Sequence, residues 1–210
     1  MEQTVILLAA GSGKRVGLNH NKLLEKVNDK YVYEYSLDTF LSFNLNVILV
    51  VSETDYEFIK NYNKKDIIIV RGGSTRNESV KNALKYVKTK RVLIHDAARA
   101  LVDSSIIEKC LECKSDAYYV YVPLKDTIRN NTTNQTINRQ DFVSCQTPQG
   151  GKTSLFNLYE DFSTTDDISS FDNTNLKIEK IEGNDYNFKI TTKFDLNLFK
   201  MLVKEKLWFV

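Results

Sequence analysis

Short apolar runs alternate with amphipathic segments along the first half of the chain. Five runs rich in Val, Ile and Leu predict strands, at residues 4–10, 46–52, 66–70, 91–95 and 117–122. Their nearly continuous apolar content is typical of parallel strands that are buried on both faces. Between them lie two apolar stripes at helical spacing, formed by Tyr33, Leu37, Phe40 and Leu41 and by Val80, Ala83, Leu84 and Val87. The alternation predicts a doubly wound, mostly parallel α/β sheet whose ligands bind at the carboxyl ends of the strands.

After this alternation the chain becomes more polar and its pattern changes. The turn sequence Asn130-Asn131-Thr132-Thr133-Asn134 lies between two short β-like segments, which predicts a protruding β-hairpin arm at about 124–142. We further expect a third helix capped by Ser105, a helix at 153–159, strands at 177–181 and 186–190, and a helix from Phe194. Because the chain has no internal repeat, residues 1–210 are expected to form a single domain that includes the arm.

The composition narrows the class of protein. Hydrophobic residues make up 42% of the chain and charged residues 27%, as in an ordinary soluble globular protein. The formal net charge is +2, so nothing indicates general affinity for nucleic acid or membranes. The first apolar run is too short to span a membrane and lacks the preceding positive charge of a signal peptide. With three cysteines a disulfide framework is not expected, so we predict a cytoplasmic protein, or one of the organelle stroma if the source bears plastids.

The first strand runs directly into a glycine-rich basic loop, Gly11-Ser12-Gly13-Lys14-Arg15-Val16-Gly17, which Lys22 follows. Glycines let backbone N–H groups approach an anion, and a loop that turns into a helix directs partial positive charge at the ligand. Arg15 can bind phosphate with two parallel hydrogen bonds, while Lys22 is a mobile point charge. The loop therefore predicts a phosphate site.

Two known phosphate motifs fit this loop poorly. In a dinucleotide fingerprint the third glycine would stand at Val16, but the glycine comes one residue later, at Gly17. The Walker A pattern is absent. The alternative that remains open is a glycine turn with solvated charges.

Two further segments carry candidate chemistry. Gly72-Gly73 follows a strand and opens a helix, where glycines let the backbone approach a ligand closely, and Ser79 could hydrogen-bond a base or ribose. The alternative is a plain turn with Thr75 or Asn77 as the helix cap. Asp96 ends the fourth strand and is a natural Mg²⁺ ligand, since hard cations prefer carboxylate oxygens.

The alternative for Asp96 is a buried ion pair, with Arg99 holding the carboxylate in place. His95 is expected to be packed and hydrogen-bonded rather than a ligand or a base. The CxxC pair Cys110 and Cys113 falls late in a predicted helix without a second pair, so it indicates neither redox nor zinc chemistry.

A larger set of motifs occurs in order over nearly the whole chain. They are Ala9-Ala10-Gly11-Ser12-Gly13-Lys14-Arg15 with Asn21-Lys22, Gly72-Gly73 with Arg76 and Ser79-Val80, His95-Asp96-Ala97-Ala98-Arg99, Val122-Pro123-Leu124-Lys125-Asp126-Thr127-Ile128, Gln146-Thr147-Pro148-Gln149, Thr165-Asp166-Asp167, and Asn187-Phe188-Lys189-Ile190-Thr191-Thr192 with Asp195-Leu196. Together they resemble the 2-C-methyl-D-erythritol 4-phosphate cytidylyltransferase family of non-mevalonate isoprenoid synthesis.

The resemblance implies a Rossmann-like nucleotidyltransferase fold and a role for each matching residue. CTP would be held by Ala9, Ala10, Gly11, Gly13, Gly73, Arg76, Ser79 and Ala97. Arg15, Lys22 and Lys189 would be catalytic, and Asp96 would bind Mg²⁺ or another hard divalent cation. Thr127, Arg139 and Lys189 would receive the polyol phosphate, with the arm reaching across a homodimer to serve the partner's site. Thr147 and Thr165 resemble pocket wall, although they could equally be turn residues.

Four positions depart from the pattern of this family, namely Leu8, Asn21, Ser74 and Ala100. In the family, proline is usual at positions 8, 21 and 100, and an acidic residue is common at position 74. The departures bear on loop stiffness and on one ribose contact, and they remove no catalytic group that the resemblance implies. The implied activity is transfer of CMP from CTP to methylerythritol phosphate. Two alternatives stay open, a ribitol-5-phosphate cytidylyltransferase and a nucleotide-binding sensor without catalysis.

Overall fold

A seven-stranded sheet with helices on both faces forms the centre of the structure, a computed structural model that describes residues 3–11, 20–60, 62, 67–158 and 166–208. The strands are β1 (Gln3–Ala9), β2 (Lys26–Val27), β3 (Lys30–Tyr31), β4 (Asn46–Val51), β5 (Ile67–Arg71), β6 (Arg91–Asp96), β7 (Ala117–Pro123), β8 (Ile128–Arg129), β9 (Thr136–Ile137), β10 (Val143–Lys152) and β11 (Ile178–Glu182). The helices are α1 (Val32–Ser42), α2 (Glu53–Ile59), α3 (Arg76–Leu84), α4 (Ser104–Glu112), α5 (Thr153–Leu158) and α6 (Lys193–Lys204).

The strand order in the large sheet is β11-β7-β10-β6-β1-β4-β5. All neighbouring pairs are parallel except those of β10, which runs antiparallel to both β6 and β7. The prediction of a mostly parallel sheet is thus confirmed, and so are its first five strands to within a residue or two. Strand β10 was not predicted, and its segment around Gln146-Thr147-Pro148-Gln149 carries a register shift and a cis peptide bond before Pro148.

Alternate residues of the central strands enter two separate cores. Val5 and Leu7 of β1 pack with helices α1, α4 and α6, whereas Ile6 and Leu8 pack on the opposite face with α3, Phe156 and Phe171. This follows from the pleat, which directs successive side chains to opposite faces of the sheet. Both faces are covered, which confirms the doubly wound architecture. In the described part of the chain, no helix has the length and apolar content needed to cross a membrane.

Side-chain caps determine where the helices begin. Thr75 accepts a hydrogen bond from the backbone N–H of Glu78, so of the two cap candidates for α3 the first is correct. The prediction that Ser105 caps α4 is wrong, because Asp103 accepts from the N–H of Ile106 at 3.0 Å. Ser105 lies inside the first turn and donates its hydroxyl to Asp103 at 2.7 Å.

The predicted strand at 186–190 is also wrong. Asp185–Asn187 forms a 3₁₀ turn that Asn184 caps by accepting from the N–H of Asn187. The Asn187 side chain is buried and donates to Gln146 Oε1 and to the carbonyl of Thr147, so it ties this segment to β10 instead of extending the sheet.

The polar segment at 125–141 forms the predicted hairpin, in which β8 pairs antiparallel with β9. Helices α5 and α6 and strand β11 lie where the sequence predicted them. Asp66 and Tyr159, at the ends of two predicted elements, lie outside the described residues. A short antiparallel pair, β2 and β3, was not predicted.

A prediction about stability follows from the close packing of Gly150 in β10. A Cβ at this position would lie 2.3 Å from the Val92 carbonyl oxygen and 2.6 Å from the Tyr118 hydroxyl. The backbone around Val92 cannot move easily to make room for the added methyl group, so Gly150→Ala should lower the free energy of unfolding by about 1–3 kcal/mol or more. Urea titration measures this change. Gly11→Ala is the matched control, because a Cβ there meets no atom of the described residues within 4 Å. Equal stability of the two variants would contradict the packing argument.

Candidate active site

A cavity of about 380 Å³ opens at the carboxyl ends of the parallel strands. The strand register places Ala9 beside Val51, Val51 beside Arg71, and Leu8 beside Asp96, so these strands end at one edge. The cavity is lined by Leu8, Ala10, Gly11, Lys22, Leu23, Gly73, Ser74, Thr75, Arg76, Ser79, Asp96, Ala98 and Lys189. Three cations and one carboxylate are among these residues, so the lining favours an anionic ligand.

Lys22 reaches the cavity from a 3₁₀ turn, Lys22–Leu24, that follows the first loop. The lysine is buried, with 7% of its surface exposed. Asn21 precedes it and accepts a hydrogen bond from the Leu23 N–H at 3.1 Å. In the family, proline is usual at this position. In this structure Asn21 is the cap of the turn.

Close contact between Gly72 and its surroundings brings the start of α3 next to β1. A Cβ on Gly72 would lie 2.8 Å from both Ala10 Cβ and Ser79 Oγ, which only glycine avoids. The Ser79 hydroxyl accepts from the Gly73 N–H at 3.0 Å and donates to the Thr75 carbonyl at 2.9 Å. Ser79 therefore holds the glycine turn in place at the cavity wall.

Asp96 is the carboxylate at the centre of the site. Its Oδ1 accepts from Arg76 Nε at 3.2 Å, and its Oδ2 lies 2.7 Å from Lys189 Nζ. Burial raises the pKa of Asp96, but the charges of Arg76, Lys189 and Arg99 outweigh it and hold the pKa well below the usual range. Asp96 is therefore ionised, and the alternative of a buried ion pair describes its contacts in this structure.

Asp167 also belongs to the site, although no role was predicted for it from the sequence. Its carboxylate is fully buried and accepts two parallel hydrogen bonds from Arg76, at 2.6 and 2.7 Å. Burial by itself raises the pKa of Asp167 while the Arg76 bonds lower it, and this two-bond geometry is that of an ionised pair. The contacts with Asp167 and Asp96 also raise the pKa of Arg76, so its guanidinium stays charged, whereas burial outweighs the Arg76 bonds at Asp167 and leaves the pKa of that carboxyl above its usual range. Arg76 thus joins Asp96 to Asp167.

Behind Asp96 lies a buried histidine. His95 is 0% exposed, with Nδ1 3.1 Å from Thr147 Oγ1 and Nε2 3.1 Å from the Arg99 carbonyl. Burial lowers its pKa to about 4, so the ring is neutral near pH 7. The expectation that His95 is packed and hydrogen-bonded is confirmed. Thr147 Oγ1 also accepts from the Asp96 N–H at 3.1 Å, so it supports the site from β10.

Lys189 is held against the end of β6 by its chain neighbours. The Ile190 N–H donates to the Ala98 carbonyl at 2.8 Å, and Arg99 donates to the Asn187 carbonyl at 2.8 Å. The expectation that Arg99 holds Asp96 is wrong at the level of direct contact. The Arg99 guanidinium instead binds the carbonyls of Asn187 and Cys145, although its charge still acts on Asp96.

The structure gathers most of the residues that the resemblance implies. Eight of them line the cavity, namely Ala10, Gly11, Lys22, Gly73, Arg76, Ser79, Asp96 and Lys189. Ala9 and Ala97 are buried and stand outside the lining, beside the strand ends. Thr127 and Arg139 are exposed on or beside the arm and also lie outside it. Gly13, Arg15 and Thr165 lie outside the described residues.

The cysteine pair has none of the features of a reactive site. Cys110 and Cys113 are buried within and just after α4, and burial raises the pKa of both thiols. A raised pKa disfavours the thiolate, which is the reactive form.

The sequence model of the 2-C-methyl-D-erythritol 4-phosphate cytidylyltransferase family matches residues 3–205. The chain belongs to this family. A cytidylyltransferase of this name from Prochlorococcus marinus is 34% identical over 96% of the chain and 99% of the relative. One from Bacillus cytotoxicus is 34% identical over 92% of the chain and 94% of the relative. The solved 4-diphosphocytidyl-2C-methyl-D-erythritol synthase of Anaerococcus prevotii has a TM-score of 0.84 at 25% identity, covering 97% of this chain and 96% of that one.

Cytidylyltransferases of this family are generally dependent on a divalent cation. Within residues 3–11, 20–60, 62, 67–158 and 166–208, no group of three or more His, Cys, Asp or Glu side chains is arranged to hold a metal. Asp96 supplies one ionised carboxylate at the cavity wall. Mg²⁺ is commonly bound by one or two carboxylates together with substrate phosphates, so this donor fits such an ion.

A prediction about stability follows from the buried pair of Asp167 and Arg76. Asp167→Asn removes the carboxylate that accepts two hydrogen bonds from Arg76 and leaves the guanidinium only its contact with Asp96, which should lower the free energy of unfolding by about 1–3 kcal/mol. Asp38→Asn is the control, since Asp38 pairs with Lys30 at the surface and such pairs contribute about 0–1 kcal/mol. Urea unfolding measures both, and comparable losses would contradict a special role for the buried pair.

Proposed function

We propose that this protein transfers CMP from CTP to 2-C-methyl-D-erythritol 4-phosphate and releases pyrophosphate. The observation that carries the proposal is the meeting of Lys22, Asp96 and Lys189 at one cavity at the carboxyl ends of the strands. Membership in the family and the names of the relatives support the choice of reaction.

The cavity wall divides into two parts that suit the two ends of CTP. Ala10, Gly11 and Lys22 form a wall with backbone and ammonium groups that suit a triphosphate. Gly73 and Ser79, at and before the start of α3, suit the ribose and cytosine because the glycine turn brings backbone close to the cavity. We assign Arg15 to the triphosphate as well, by the family resemblance alone.

The reaction joins two anions, so positioning and charge stabilisation carry the catalysis. A phosphate oxygen of the polyol phosphate forms a bond to the α-phosphorus of CTP, and the bond from that phosphorus to the bridging oxygen breaks. The electron pair leaves with pyrophosphate. The attacking phosphate is already ionised, so no general base is needed, and His95 is fully buried with both ring nitrogens in contact with protein atoms.

Each cation then has a separate task. Lys22 neutralises charge that develops on the α-phosphate and the leaving group, and Lys189 orients the incoming phosphate. Mg²⁺, held by Asp96 together with the phosphates, would supply charge neutralisation to the triphosphate. Arg76 keeps Asp96 in place through Oδ1, which leaves Oδ2 toward Lys189.

The arm belongs to the same proposal. By its resemblance to the family, the arm would reach the site of a second copy in a homodimer, and Thr127 and Arg139 stand outside the cavity lining of their own chain. In the single chain Arg139 donates to the Lys125 carbonyl, a contact that a substrate phosphate could replace. The whole of residues 1–210 then acts as one catalytic domain with an arm.

Pyrophosphate release tests the reaction. The protein is incubated with CTP, Mg²⁺ and either methylerythritol phosphate or ribitol 5-phosphate. We expect release only with methylerythritol phosphate. Release only with the ribitol compound would move the protein to the other cytidylyltransferase activity, and no release with either would favour a nucleotide sensor.

Loss of the Lys22 ammonium tests its role in catalysis. Lys22→Ala should lower kcat by about 100-fold or more, on the scale of one preorganised electrostatic contact, while the thermal transition is retained. Lys26→Ala is the control, because Lys26 is exposed and lies outside the cavity lining. A kcat near that of the wild type would remove Lys22 from the mechanism.

Substitution in the arm tests the shared site. Arg139→Ala should raise KM for the polyol phosphate by at least about tenfold, because it removes a hydrogen bond to a charged group, with less change in KM for CTP. Arg129→Ala is the matched control, since Arg129 lies in the same hairpin and binds Asn134. A larger rise in KM for CTP than for the polyol phosphate would count against the arm.

A further inference from the structure

The side chain of Asn21 connects three parts of the molecule at the residue before Lys22. We propose that Asn21 and Asp55 together are positioning residues that set where the Lys22 ammonium stands in the cavity. The inference deepens the proposed function and rests on it, because it concerns a group that acts in that reaction.

Asn21 uses both ends of its amide. Its Nδ2 donates to Asp55 Oδ2 at 2.8 Å and to the Ala9 carbonyl at 3.3 Å, while its Oδ1 accepts from the Leu23 N–H at 3.1 Å. Only 8% of the residue is exposed. A buried amide with all of these contacts has one orientation, since turning it over would break all three.

Asp55 gives this network a rigid base. It lies in the first turn of α2, where Ser52 caps the helix by accepting from the Asp55 N–H at 3.1 Å. The Ser52 hydroxyl in turn donates to Asp55 Oδ2 at 2.7 Å, the same oxygen that Asn21 binds. The start of α2 follows β4, the neighbour of β1, so Asn21 is tied to the end of the central sheet on both sides.

The 3₁₀ turn Lys22–Leu24 links the fixed position of Asn21 to the cavity. The Leu24 N–H donates to the Asn21 carbonyl at 2.9 Å, and the Glu25 N–H donates to the Lys22 carbonyl at 3.2 Å. Lys22 is the first residue of that turn and its buried side chain extends to the cavity wall. A change in the backbone at position 21 would therefore swing the ammonium. Misplacement of a catalytic group by about 1 Å can cost about 100-fold in rate.

The backbone at Asn21 has φ of −63° and ψ of 121°. Proline, which is usual in the family at this position, fixes φ near −65° by its ring. This chain has the same backbone angle but maintains it with side-chain hydrogen bonds. The angle then depends on Asp55, a residue 34 positions away, whereas a ring would make it independent of any neighbour.

Double-mutant cycles test whether Asn21 acts through Lys22. Asn21→Ala should lower kcat by about tenfold or more, with little change in KM for the polyol phosphate. In the Lys22→Ala background the same change should have almost no further effect, because the group that it positions is gone. A role in general stability would lower the activity of the Lys22 variant as well. Multiplicative losses would overturn the proposal.

A second cycle tests the contact with Asp55. Asp55→Ala should lower kcat in the wild type, yet add little to Asn21→Ala, since both variants lack the hydrogen bond between Asn21 and Asp55. Asn21→Pro should recover most of the activity lost in Asn21→Ala and should make the activity insensitive to Asp55→Ala. Failure of the proline variant to exceed the alanine variant would overturn the positioning role.

The control and the readout separate this inference from the proposed function. Glu57→Gln alters an ion-pairing residue of the same helix that does not contact Asn21, and it should leave kcat unchanged. Both cycles can also be measured as the Kd for CTP by calorimetry. A wild-type protein that releases no pyrophosphate would refute the proposed function alone, while CTP affinity still reports whether Asn21 acts through Lys22. Equal loss of affinity with and without Lys22 would refute the inference.

Discussion

The site depends on the ionised carboxylate of Asp96, buried at the end of β6. A buried charge is costly unless it is paired, so Asp96 requires cations from elsewhere in the chain. Arg76 comes from the start of α3 and Lys189 from the segment before α6, and each takes one carboxylate oxygen. Asp167 in turn neutralises Arg76. This one constraint therefore brings together segments that are distant in sequence and holds them at the carboxyl edge of the sheet.

The sequence predicted the parts of this arrangement that depend on local pattern. The apolar runs of β1, β4, β5 and β6 are unambiguous, and parallel strands that end at one edge place Gly73 near Asp96. The partners of Asp96 were not predictable in the same way. The bond between Arg76 and Asp167 spans 91 positions, and neither residue carries a local signal for the other. The acidic residues at 166 and 167 looked alike, and only the fold distinguishes the buried one.

The errors arose where polar side chains compete with regular structure. The antiparallel strand β10 contains Pro148 and two glycines, which ordinarily argue against a strand. The strand still pairs with β7 on both sides of Pro148, because the register shifts between Gln146 and Gln149. In the segment before α6, Asn187 turns its amide inward to β10, so the apparent strand becomes a turn. Both structures depend on contacts with residues that are distant in sequence, and the secondary-structure propensity of a segment does not contain that information.

The two lysines at the cavity are held in different ways, and the difference bears on how the site can respond to an anion. Lys189 pairs directly with Asp96, so a phosphate that binds Lys189, or a cation that binds the carboxylate, competes with that pair. Lys22 is positioned through its backbone, by a turn that Asn21 caps and Asp55 anchors. An arriving phosphate can bind Lys22 without breaking those contacts. The backbone turn that carries Lys22 is thus built into the fold, whereas the position of the Lys189 side chain can change with the state of Asp96.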